Sequence, residues 1–233
     1  MHKSNVTLRK NFSYVTTRRL RRLPAPFPPI VLIGLVHLLK LLMRFKLPFT
    51  DNVTVRLFEK VETVDDTYRI VDVGAEYANY ASDLTRCVPV NGRFTSRQRE
   101  IYNAVLSVKN DAEKLLVPGT FLGEYHVEVG KLMERQLLNL GLLSKTDIKN
   151  QNPDWPAYKK YFMHGTSHFI GLDTHDVGLW NEPLKPGMVF TCEPGIYIPE
   201  EGLGIRLEDD LVVQENGVPF NLMKDIPLEA EEI

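Results

Sequence analysis

The chain has 233 residues, 43% hydrophobic and 25% charged, enough for one large or two small soluble domains with a substantial core. Only two cysteines occur, Cys87 and Cys192, without CxxC spacing, which argues against a disulfide framework and for a reducing, cytoplasmic setting. Ten of the 28 Lys/Arg and none of the 30 Asp/Glu fall in residues 1–50, so the net charge of -2 hides an acidic body behind a basic leader.

Within that leader, residues 1–29 lack hydrophobic periodicity and carry Arg18-Arg19-Leu20-Arg21-Arg22, then Pro24, Pro26, Pro28 and Pro29. They read as an unstructured arm ending in a proline-rich linker. Residues 30–43, IVLIGLVHLLKLLM, form an apolar run interrupted by His37 and Lys40. A bilayer span needs about 20 apolar residues, so a short amphipathic or buried helix is favoured. The other readings are a targeting segment, a membrane-surface helix over residues 30–47, and an N-terminus foreign to the domain behind it. Without aromatic interleaving, the basic arm is not read as a nucleic-acid-binding module. Residues 51–233 then form the folded body.

In that body, residues 68–73 read as a buried strand and residues 77–88 as a second, followed by a turn at Pro89-Val90-Asn91-Gly92. Thr95-Ser96-Arg97-Gln98 has the form of a capping box. It opens a helix on which Ile101, Val105, Val108, Ala112 and Leu115/Leu116 recur at three- to four-residue steps, with Pro118-Gly119 as its stop. A second amphipathic helix is predicted over residues 122–140, with Gly141 as its C-terminal stop. Residues 145–159 are polar and read as a loop. Strands are predicted at 188–192, 196–198 and 205–214, with Asn216-Gly217 as a hairpin turn. Strands, helices, then strands make an α+β body rather than an alternating βαβ one.

Three of the six histidines, His164, His168 and His175, lie within twelve residues of one another beside glycines. Gly165 and the strand-like flanks argue against a helical HExxH site, and each histidine could singly be a hydrogen-bonded core residue. Asp72 and Asp83 lie on or beside apolar strands, where a carboxylate is costly unless paired or metal-bound. Asp83 could instead pair with Arg86. Glu193 is the single charge in MVFTCEPG, and its plain alternative is a solvated residue at the turn. Strand alternation puts Arg206, Glu208 and Asp210 on one face and Leu207 and Asp209 on the other, with an Arg206–Glu208 pair as the plain alternative. Together, four carboxylates and at least one imidazole at the ends of apolar segments suit a divalent metal such as Mn²⁺, Co²⁺ or Zn²⁺.

These segments resemble the pita-bread metallopeptidases: VDVGAEYANYASDLTR with Asp72 and Asp83, MHGTSHFIGLDTHDVG with His168, EPG with Glu193 and IRLEDD with Glu208. The nearest subgroup is the Xaa-Pro aminopeptidases (aminopeptidase P) and Xaa-Pro dipeptidases (prolidases), with the motifs in family order over about residues 68–215. The resemblance implies a pita-bread domain whose first half is incomplete, and two divalent ions, Mn²⁺ foremost, held by Asp72, Asp83, His168, Glu193 and Glu208. Asp83 and Glu208 would bridge the ions, and Glu193 would also move the proton of the attacking water. His164 and His175 would line the substrate pocket, and Arg206 would steady the substrate or a neighbouring carboxylate. The implied reaction cleaves the bond before a proline in second position, in a chain able to form a homo-oligomer.

One departure from the pattern concerns the place of a family histidine about seventeen residues before the first metal Asp, which falls near Val55, where there is none. A catalytically silent, N-terminally truncated domain serving as a binding module is therefore the alternative reading.

Overall fold

The computed structural model describes residues 56–65, 68–77 and 79–233, so every element predicted within residues 1–50 lies outside the described residues. Strand β1 (Arg56–Asp65) pairs antiparallel with β2 (Tyr68–Tyr77), in register from Arg56 opposite Glu76 to Asp65 opposite Tyr68. The sequence signal for β1 is faint, because RLFEKVETVD follows no clear period of two. The other edge of β2 holds β3 (Tyr80–Ala81) and β4 (Leu84–Pro89), entered through a turn with Asn79 at φ 63°.

The single strand expected over residues 77–88 is thus broken at Ser82 and Asp83. Ser82 Oγ accepts from Ala75 N at 3.0 Å, and Asp83 N donates to the Asp210 carboxylate at 3.0 Å. Ser82 N still bonds Ala75 O at 2.8 Å, but side chains accept from Ala75 N and Asp83 N in place of ladder carbonyls. The turn after β4 forms as predicted, with Gly92 at φ 74° and its N–H bonded to Pro89 O.

Helix α1 (Ser96–Glu113) has the predicted capping box, Thr95 and Gln98 each bonding the other's backbone. Ile101, Val105, Val108 and Ala112 are buried along one face. The helix ends at Glu113, before the predicted Pro118-Gly119 stop. The i to i−3 bonds of Leu115 and Leu116 tighten its last turn, so that Leu116 is wholly buried.

Helix α2 (Leu122–Asn139) buries Tyr125, Val129, Met133 and Leu137, a strict four-residue stripe, and ends at Gly141 with φ 69°. A Cβ on Gly130 would lie 2.6 Å from the Tyr158 ring, so only glycine allows the following segment to lie this close. That segment is not the plain loop its polarity suggests. Helix α3 (Lys145–Lys149) starts from a Ser144–Asp147 capping box, and a 3-10 turn spans Ala157–Lys160.

The C-terminal third forms two small sheets. Strand β5 (Val189–Cys192) pairs with β8 (Asp209–Val212), which pairs with β9 (Phe220–Asn221) across the predicted Asn216-Gly217 turn. Strand β6 (Gly195–Ile198) pairs with β7 (Leu203–Arg206). The strand expected over residues 205–214 is divided at Leu207–Glu208, because Glu208 N leaves its own sheet to bond Thr85 O of β4 at 3.1 Å. Among the described residues no helix is long and apolar enough to cross a membrane.

The expected alternation survives this break. Leu207 and Asp209 face the interior while Arg206, Glu208 and Asp210 face β2 and the β3–β4 break. Arg86 pairs with Asp209 at 2.7 Å, not with Asp83, and also donates to Glu208 O at 2.8 Å. Lys109 of α1 is fully buried and meets Asp209 at 2.6 Å as well as Glu113. Burial opposes its charge, yet Asp209 and Glu113 hold its pKa above the ordinary lysine value.

Removing one member of a buried ion group strands the others without compensation. Lys109→Ala is therefore expected to cost about 3–5 kcal/mol in urea unfolding. A loss below about 1 kcal/mol, the scale of an exposed pair, would show that this group does not hold α1 to β8.

Candidate metal centre

Three predicted site residues arrive from three different parts of the chain. Asp83 sits at the β3–β4 break, His168 lies on the segment that joins β5 through a Phe169–Phe190 bridge, and Glu208 lies at the β7–β8 break. One ligand atom from each of Asp83, His168 and Glu208 lies within 4.8 Å of the others. Glu193, between β5 and β6, brings Oε1 to 3.7 Å from His168 Nε2, the same distance as Asp83 Oδ2. It is not the solvated turn residue of the plain alternative, since its side chain is only 18% exposed.

Asp72 stands at the edge of this group. Its carboxylate accepts from Arg206 Nη2 at 2.7 Å and also contacts the Asp83 carboxyl. Arg206 therefore pairs with Asp72 and not with Glu208, and its Nε donates to Thr85 Oγ1 at 3.2 Å.

Two of the three imidazoles have a defined donor pattern. His168 Nδ1 lies 2.9 Å from Phe169 O, which places its proton there and leaves Nε2 as the lone-pair atom among the carboxylates. His164 Nδ1 lies 2.7 Å from Gly165 O, while its Nε2 accepts from Tyr197 OH at 2.8 Å. His164 Nδ1 is also 3.9 Å from Glu193. Burial first, then Arg206 and Lys159, depress the His164 pKa to about 4 despite the Gly165 bond. His175 is exposed, with its ring centroid 4.3 Å from that of His168.

Several supporting residues escaped the sequence reading. Thr85 is fully buried and donates to Glu208 Oε2 at 2.6 Å. Thr191 Oγ1 accepts from His168 N at 3.2 Å, Asp210 accepts from Asp83 N, and Tyr197 bonds His164. Thr85, Thr191 and Asp210 carried a signal, each standing two residues along the chain from a candidate carboxylate, and Tyr197 carried none.

The electrostatics show what the cluster lacks. Burial, then Glu208 and Asp72, raise the Asp83 carboxyl to about 8. Burial also raises Glu193 to about 8, with Asp83 and Asp72 adding to it and Arg206 opposing. Glu208 is raised well above the carboxylate range by burial and by Glu193. Two of the buried polar atoms with no hydrogen-bond partner are His168 Nε2 and Glu208 Oε1, both within this group. Oxygen and imidazole donors, mutual repulsion and orphaned lone pairs all fit a divalent cation.

Because these folded-state pKa values lie above the unfolded ones, the carboxyls favour the fold while protonated, and that advantage is lost as pH rises through about 8. With chelator present, the melting temperature is expected to fall between pH 5 and pH 8.5. A divalent metal should reverse the fall most strongly at the high end, because binding displaces those protons. An equal metal effect at both ends, read by thermal shift, would contradict this.

Metallopeptidase family M24 matches residues 26–215. Xaa-Pro aminopeptidase of Escherichia coli is 44% identical over 80% of this chain, and human Xaa-Pro aminopeptidase 3 is 42% identical over 70%. The chain spans 43% and 34% of their respective lengths. A structure of zinc-substituted E. coli aminopeptidase P in complex with product superposes with a TM-score of 0.64 at 42% identity, covering 71% of this chain and 40% of that one. A mixed helix-and-sheet body at this likeness is a partial pita-bread domain. The chain belongs to metallopeptidase family M24.

Proposed function

We propose that this chain carries the metal-binding part of a metallo-exopeptidase that removes the N-terminal residue from peptides with proline in second position. The observation that carries this reading is the convergence of Asp83, His168 and Glu208 within 4.8 Å, with Glu193 beside them, in a chain 44% identical to an Xaa-Pro aminopeptidase. Asp72, Asp83, His168, Glu193 and Glu208 would hold two divalent ions, Mn²⁺ foremost and Co²⁺ or Zn²⁺ as alternatives. Such ions supply a hydroxide nucleophile at neutral pH and polarise the scissile carbonyl.

The remaining work falls to the protein. Glu193 takes the proton of the attacking water and returns it to the leaving imide nitrogen. His164, held neutral by its environment and fixed between Gly165 O and Tyr197 OH, presents its ring to the substrate. His175, exposed and with its ring 4.3 Å from that of His168, would line the substrate pocket beside it. Arg206 fixes Asp72 and, through Thr85, the hydroxyl that orients Glu208.

One sequence observation favours a second reading, a metal-binding but silent domain: no histidine stands at or near Val55. Incubation of the Mn²⁺-loaded protein with an Xaa-Pro peptide separates the two. Release of the first residue is expected, falling at least about a hundredfold in Glu193→Gln. Two bound ions without turnover above that variant would establish the silent reading.

A further inference from the structure

Two cations lie close enough to the His164 imidazole to disfavour its protonation, Arg206 and Lys159. Arg206 is already committed to Asp72 at 2.7 Å and to Thr85. Lys159 makes no ion pair with a carboxylate among the described residues. Its Nζ lies 3.5 Å from His164 O and stands 5.6 and 5.9 Å from the ring centroids of Tyr158 and Phe162. It is half-buried, and burial alone holds its pKa below the ordinary lysine value. Its neighbour Lys160 behaves as a surface lysine, reaching Glu200 at 3.1 Å and Tyr161 at 2.9 Å.

Desolvating an ammonium without giving it an anion is unfavourable, and the aromatic faces compensate only in part. The position matters as much as the cost. His164 links Lys159 to Glu193, since Lys159 Nζ reaches its backbone O at 3.5 Å and its imidazole lies 3.9 Å from the Glu193 carboxylate. An extended peptide advances about 3.3–3.6 Å per residue, so a group one or two residues beyond the cleaved bond is within reach. Lys159 thus places an ammonium, without a carboxylate partner among the described residues, next to the histidine that the peptidase reading sets against the substrate.

We propose that Lys159 receives a substrate carboxylate just downstream of the proline, making it a specificity residue for short or acidic peptides. This rests on the peptidase reading above. The carboxylate is either the C-terminus of a short peptide or an Asp/Glu side chain in third position, and the two give different results below.

Calorimetry on the Mn²⁺-loaded Glu193→Gln protein can compare Ala-Pro-Leu free acid, Ala-Pro-Leu amide and Ala-Pro-Asp amide. One or both carboxylate-bearing peptides should bind about three- to tenfold tighter than the neutral amide. A gain by the free acid alone identifies the C-terminus, and a gain by the aspartyl amide alone identifies the side chain. Adding Lys159→Met should abolish the gain while leaving the neutral amide unchanged, and Lys159→Arg should retain it. Equal binding of all three peptides, or a Lys159→Met loss shared by all three, would overturn this inference and leave the peptidase reading intact. Binding of none would overturn both.

Discussion

Two like charges about 4 Å apart repel by about 4 kcal/mol at an effective dielectric of 20, and Asp83, Glu193 and Glu208 meet around one imidazole with little water to share. Without a cation the group must hold protons, which is what the raised carboxyls of Asp83 and Glu193 express. Keeping these acids together requires a scaffold that does not relax away from them. The two broken strands provide it. At each break the backbone N–H of a candidate ligand is bound by the opposite segment, Asp83 N by Asp210 and Glu208 N by Thr85 O.

Adjacent residues show how far environment governs charge. Glu208 and Asp209 are both almost fully buried, at 2% and 1% exposure, yet their pKa values move in opposite directions. Glu208 looks toward other acids. Asp209 looks the other way, into Arg86, Lys109 and Asn221, whose attraction overcomes its burial and keeps it ionised. The Asp209 group ties β8 to α1 and β4, and the same Arg86 guanidinium binds Glu208 O. Structural charge compensation and an uncompensated acidic site are therefore mounted back to back on one short segment.

Much of this was legible in the sequence. The capping box at Thr95, the apolar stripes of both long helices and the turn glycines are local signals, because capping, periodicity and positive φ depend only on near neighbours. The family motifs pointed to Asp72, Asp83, His168, Glu193 and Glu208. The alternation of Arg206, Glu208 and Asp210 against Leu207 and Asp209 also held. What failed was continuity: residues 77–88 and 205–214 read as single strands because their apolar content is unbroken, and no local signal shows a backbone N–H leaving for another sheet. Strand β1 and helix α3 were missed for the opposite reason, their sequences being too short or too irregular to show a period.

The sequence by itself determined which residue types could do chemistry here, since four carboxylates and an imidazole at strand ends, in a recognisable order, already imply a cation. Partnership was decided by tertiary structure alone. Arg86 pairs with Asp209 and not with nearby Asp83, and Arg206 with Asp72 and not with Glu208, because pleat direction and sheet crossing set which charges face each other across more than 120 residues of chain. Lys159 and Lys160 are adjacent and chemically identical, and only the fold turns one toward Glu200 and the other toward His164.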